Sequence, residues 1–116
     1  MFHLNNEMNV EIKSKLRGGN GDLQFRHLFS GAELGGRADL LACVTLRPGE
    51  SVGEHPHTGN GEVYYVLSGS VTVTEDDESR VLQAGDAEFC ADGHSHSIFN
   101  HTDEDAQFLA LIMKDR

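Results

Sequence analysis

At 116 residues the chain has the length of one domain, long enough to bury a core and too short for two. Its formal net charge of −10, with only 9 scattered Lys and Arg, excludes nucleic acid and anionic membrane surfaces as partners, because both need clustered basic groups. No apolar run approaches the roughly 20 residues of a membrane helix, and the opening residues lack a basic segment followed by an apolar one, so a soluble cytoplasmic protein is expected.

Residues 1–20 read as an N-terminal arm and residues 21–116 as a single domain. In the arm, Val10 and Ile12 alternate with charged residues as in a strand, while Met8, Ile12, Lys15 and Leu16 also fit a short helical turn; an extended arm is the better match. Gly18-Gly19-Asn20-Gly21 follows as loop. From there turn residues recur roughly every eight to twelve positions, the rhythm of an antiparallel sandwich or barrel. Strands are expected over 23–29, 39–47, 51–57, 62–67, 70–75, 79–82, 86–90, 95–100 and 107–113, with no convincing helical period anywhere. The acidic runs 75–78 and 103–105 fall between strands and read as solvated turns. Cys43 and Cys90 each fall in a strand and form no disulfide framework, so both are read as reduced thiols whose facing depends on register.

One spaced set carries the chemistry. Gly49, His55, His57, Glu62 and Gly69 are followed by Gly85, Gly93, His96 and Asn100. Residues i and i+2 of a strand share a face, so His55 and His57 present both imidazoles on one side, and Pro56 between them suits an extended segment. Asn60-Gly61 is a strong hairpin signal and predicts that the chain turns back there, carrying Glu62 across from the two histidines. A fourth donor, His96, arrives from the strand after the Asp92-Gly93 turn. Three imidazoles and a carboxylate in one place are a site for a divalent metal ion.

These two motifs resemble those of the cupins, small β-barrel proteins defined by a first motif of two His, a Glu and flanking Gly and a second of one His and an Asn. Every first-motif position is met; in the second, Ala91 stands where the family usually has Pro, which removes no ligand. The resemblance implies an all-β double-stranded β-helix, the jelly-roll barrel, with His55, His57, Glu62 and His96 as metal ligands and with Asn100 and the glycines structural. It also implies a homodimer, to which the 1–20 arm could contribute.

Strand parity places Tyr64 and Val66 with Glu62, and Ile98 and Asn100 with His96. Tyr64 is then either a proton donor to bound substrate or a core aromatic. His94 is either a fifth ligand or general base, or a turn residue at the barrel mouth. Arg26 and Arg37 would pair with a substrate carboxylate only if their strands face them inward. His3, His27 and His101 are assigned ordinary surface or core roles.

One carboxylate and three neutral imidazoles leave a divalent ion with a net charge near +1, which suits an anionic or enolate ligand. Mn, Fe, Ni or Co favour six-coordination, whereas Zn commonly takes fewer protein donors, and the sequence does not choose among them. Two functional classes follow. One is a metal-dependent dioxygenase, decarboxylase or isomerase acting on a small carboxylate, dicarbonyl or phenolic compound. The other is a non-catalytic module that binds or senses a small anion.

Overall fold

The computed structural model describes residues 1–115. Among them run ten strands: β1 (Asn9–Ser14), β2 (Asp22–His27), β3 (Ala38–Leu46), β4 (Ser51–Pro56), β5 (Asn60–Ser68), β6 (Ser70–Glu75), β7 (Glu78–Gln83), β8 (Ala87–Cys90), β9 (Ser95–Phe99) and β10 (Ala106–Lys114). Single 3-10 turns at Asn5–Glu7 and Leu16–Gly18 flank β1. The nine strands expected from pattern all form, with ends within two residues of those predicted. No helix among the described residues is long and apolar enough to cross a membrane.

The strands form a six-stranded sheet of order β1-β2-β3-β10-β5-β8 and a four-stranded sheet of order β4-β9-β6-β7. Alternation decides what each buries. On β3, Ala42, Val44 and Leu46 point inward, and on β10 Ala106, Phe108 and Ala110 do the same. From the smaller sheet Val52, Val71, Val73 and Ile98 meet them in one shared core, giving the jelly-roll barrel expected of an all-β chain. Residues 9–14 are extended, as expected, before the chain turns at Lys15 and Leu16, and β1 pairs with β2 along its whole length, Asn9 opposite His27 through Ser14 opposite Asp22. Its apolar side chains stay outside, with Val10 43% and Ile12 58% exposed.

The Asn60-Gly61 hairpin does not form. Gly59, with φ of +73°, makes the turn instead, and Asn60 and Gly61 already belong to β5. β4 and β5 lie in different sheets, so the chain rounds a corner of the barrel between them rather than folding back on its neighbour. Gly61 has a packing reason to be glycine: a Cβ there would stand 2.8 Å from the Phe89 ring and 3.2 Å from the Cys90 carbonyl.

A second irregularity sets the site. In the β4–β9 pair Val52 faces Ile98, yet His55 faces His96, three residues along one strand matched by two along the other. This bulge over Gly53 and Glu54 resets the alternation, so Val52 and His55 both point into the barrel. Without it, odd spacing would send one of them to solvent.

Candidate metal centre

His55, on β4, and His57, just beyond its end, are 5% and 4% exposed; Glu62 on β5 is 4% exposed and His96 on β9 fully buried. The strands converge their donor atoms. Glu62 Oε1 stands 3.3 Å from His55 Nε2, 3.2 Å from His57 Nε2 and 2.9 Å from His96 Nε2, and the last two nitrogens are 3.1 Å apart. One donor atom from each of the four residues lies within 4.8 Å of every other. Donors that share a divalent ion at about 2.1 Å and right angles stand about 3 Å apart, so the spacing is that of a metal centre.

The other side of each ring explains the convergence. His55 Nδ1 lies 2.8 Å from the Gly53 carbonyl, His57 Nδ1 2.7 Å from Asn60 Oδ1, and His96 Nδ1 2.9 and 3.1 Å from the two Glu88 oxygens. A carbonyl and a carboxylate only accept, so each Nδ1 is assigned the proton and donates it. Each Nε2 then faces the centre as a lone pair. Four acceptors gathered around a point with no donor among them repel one another, and a cation placed there relieves the repulsion.

Protonation follows the same geometry in the metal-free protein. Desolvation alone would raise the Glu62 carboxyl, but hydrogen bonds with His55 and His96, together with their charge, hold it at about 2. Burial works against a charged His96, yet its contacts with Glu62 and Glu88 carry the imidazole up to about 9. A proton therefore takes the cation's place when no metal is bound.

Tyr64 and the flanking residues complete the surroundings. The Tyr64 ring stacks on His96 with centroids 4.4 Å apart and planes 7° from parallel, and burial, then the Glu62 and Glu88 carboxylates, push its phenol well above the ordinary value. Val66, Ile98 and Asn100 are buried as strand parity requires. Asn100 donates to the carbonyls of Leu46 and Glu104 and accepts from the backbone and hydroxyl of Thr102, which pins the β9–β10 loop. Gly49, Gly69, Gly85 and Gly93 all sit in the left-handed region, with φ between +76° and +96°, as turn residues of the two motifs.

His55, His57, Glu62 and Tyr64 open onto a cavity of about 350 Å³, while His96 closes the cluster from behind. His94 takes no place in it. Its ring turns to Asp76, 2.6 Å away and half exposed, and only its backbone carbonyl serves the site by accepting from the His57 N–H. Arg26 donates to the Asn5 carbonyl and Arg37 is exposed; neither lines the cavity. His27 pairs with Glu11, His3 with Glu33, and His101 with the Thr72 hydroxyl. Cys90 is buried beside Glu62 on the neighbouring strand, and burial, then the surrounding acids, push its thiol up to about 12. Cys43 is half buried, opposite Arg26 on the outer face of β3. The sequence reading missed Glu88, Asn60 and Gly53, the three partners that orient the rings. Glu88 lies two residues from Cys90 and so shares a strand face with it, but which way that face points depends on the pairing of β8 with β5.

A jelly-roll barrel that closes around three inward imidazoles and one carboxylate defines a metal-binding cupin. The cupin-domain family model matches residues 42–112, and the chain belongs to that family. It is 39% identical over 107 residues to an oxalate-binding protein of Thermotoga maritima, spanning 92% of this chain and 88% of that one. The tetracenomycin polyketide synthase protein TcmJ of Streptomyces glaucescens is 32% identical over 87 residues, 75% of this chain and 58% of its own length. The crystal structure of a predicted oxalate decarboxylase from Thermotoga maritima superposes with a TM-score of 0.94 at 38% identity, over 98% of this chain and 99% of that one.

The raised His96 and lowered Glu62 fix the pH dependence. A group raised in the fold stabilises below its unfolded value and loses that stabilisation as pH climbs, so His96 contributes fully below 6.5 and stops contributing through about 9. Glu62 contributes above 4.5 and loses its contribution as pH falls towards about 2. Metal must displace the His96 proton, so its binding tightens by up to about tenfold per pH unit over 6.5 to 9. In thermal melts across that range, the gap between metal-loaded and metal-free protein widens with pH; a constant gap would contradict the assignment.

Proposed function

We propose that this chain is a metal-dependent binding protein for small carboxylates, with oxalate the simplest ligand that fits. The observation that carries this is the donor set itself: three neutral imidazoles and one carboxylate leave a divalent ion cationic and, in six-coordination, with two positions for a chelating oxyanion. Similarity to a Thermotoga protein named for oxalate binding supports the same ligand class. His55, His57, Glu62 and His96 hold the ion, Gly53, Asn60 and Glu88 fix the rings, and Tyr64 braces His96.

Binding is favoured over turnover by the character of the cavity lining. Glu62 is the one carboxylate among its lining residues, and its low pKa keeps it from delivering a proton near neutral pH. Tyr64, stacked on His96, is a candidate for acid chemistry, and it supports the second reading, a metal-dependent decarboxylase, dioxygenase or isomerase, because its buried phenol stays protonated and can donate.

Calorimetry and thermal melts of manganese-loaded protein test both. Oxalate at a hundred times its Kd is expected to stabilise the loaded protein by about 2.7 kcal/mol and to leave metal-free protein unchanged. His57→Ala removes metal and oxalate binding together. No formate accumulates on long incubation. Oxalate binding by metal-free protein would overturn the proposal, and formate production lost in Tyr64→Phe would install the catalytic reading.

We also propose that two copies pair through the outer face of the six-stranded sheet. There Val63 stands across from Phe89 and from Leu111, Tyr65 lies across from Leu109, and Tyr65 and Phe89 are 41% and 51% exposed. Sedimentation is expected to give a dimer that Tyr65→Asp with Phe89→Asp converts to monomer; a wild-type monomer at micromolar concentration would end the idea.

A further inference from the structure

Part of the cavity wall comes from residues outside both motifs. Lys13 on β1, with Leu16 and Arg17 in the 3-10 turn that follows, lines the same cavity as His55, His57 and Glu62. Lys13 Nζ lies 4.6 Å from the centroid of the Phe25 ring, which also faces the cavity. Among the described residues neither Lys13 nor Arg17 forms an ion pair, in a chain with 19 acidic residues to choose from. Two cations without carboxylate partners thus border a cavity whose one carboxylate is already engaged by three histidines.

The segment is held there at a conformational cost. Lys15 and Arg17 have φ of +49° and +55°, the left-handed region that non-glycine residues seldom enter. The Lys15 N–H donates to the Gly21 carbonyl, the Ser51 N–H to the Asn20 carbonyl, and the Asn20 N–H to the Ser51 hydroxyl. Leu16 packs on the core. Gly53 has no side chain to collide with the Arg17 carbonyl above it. The turn is therefore seated on the bulge that aims His55.

Size and polarity point the same way. A cavity of about 350 Å³ falls within the range of roughly 300–1,000 Å³ that houses drug-sized ligands, far more than an oxalate dianion fills. Phe25, Leu40, Phe108 and Ile112 give the wall an apolar stretch beside the imidazoles.

We propose that the cavity takes an elongated 2-oxo or 2-hydroxy acid bearing a second anionic group: the chelating end at the His–Glu cluster, the stem against Phe25 and Phe108, the far anion between Lys13 and Arg17. This rests on the carboxylate-at-metal reading and names its substrate class. Steering follows as well, since two unpaired cations at the mouth offset the field of an acidic protein where an anion must enter.

Calorimetry on manganese-loaded protein tests it with matched pairs that differ only in the far carboxylate, 2-oxoadipate against 2-oxohexanoate and 2-oxopimelate against 2-oxoheptanoate. In at least one pair the diacid binds ten or more times tighter, and added sodium chloride shrinks that ratio. In the Lys13→Met, Arg17→Met double variant the ratio falls to near one while metal content stays stoichiometric. Equal affinities in both wild-type pairs, or a ratio that salt and the double variant leave unchanged, overturn this inference alone. If neither member of a pair prefers metal-loaded over metal-free protein, the carboxylate-at-metal reading fails first and takes this one with it.

Discussion

Each of the three site histidines has its Nδ1 proton committed to an acceptor with nothing to give back: a backbone carbonyl, an amide oxygen, a carboxylate. The rest of the centre depends on that constraint. Once Nδ1 is the donor, Nε2 is the acceptor, and three of them meet around Glu62 at the inner end of the cavity. The cluster is electrostatically incomplete without a positive charge. In the metal-free protein a proton on His96 beside the ionised Glu62 supplies that charge, and this accounts for the opposite directions in which their pKa values move.

The fold supplies this arrangement through departures from regularity. An ideal β4 would bury Val52 or His55 but not both, and the bulge over Gly53 resolves the conflict. The same glycine accepts from His55 Nδ1 and lies beneath the Arg17 carbonyl, so one backbone position joins ring orientation, strand irregularity and the N-terminal turn. The Gly59 turn then carries the chain round a barrel corner, which lets Glu62 approach the histidines from the other sheet.

Much of this was legible in the sequence because strand parity and motif spacing are local. His55 with His57, Tyr64 with Glu62, and Ile98 with Asn100 all face the interior as alternation requires. Asn60-Gly61 misled because a strong turn dipeptide competes with tertiary packing, and here the close approach of Phe89 and Cys90 makes the glycine a strand residue. Glu88 was missed because its contact with His96 depends on how β8 pairs with β5, a register no local pattern encodes. Lys13 and Arg17 were missed for a similar reason. Their place at the cavity depends on β1 pairing with β2 and on a turn in left-handed conformations that Lys and Arg rarely adopt.

X-ray absorption at the edge of the bound metal tests the central claim most directly. Saturated protein should show three imidazoles bound through Nε2, identified by their outer-shell scattering, plus oxygen donors at about 2.0–2.2 Å. Fewer than three imidazoles, or none, would mean that the convergence of Nε2 lone pairs on Glu62 serves some other end than holding a metal.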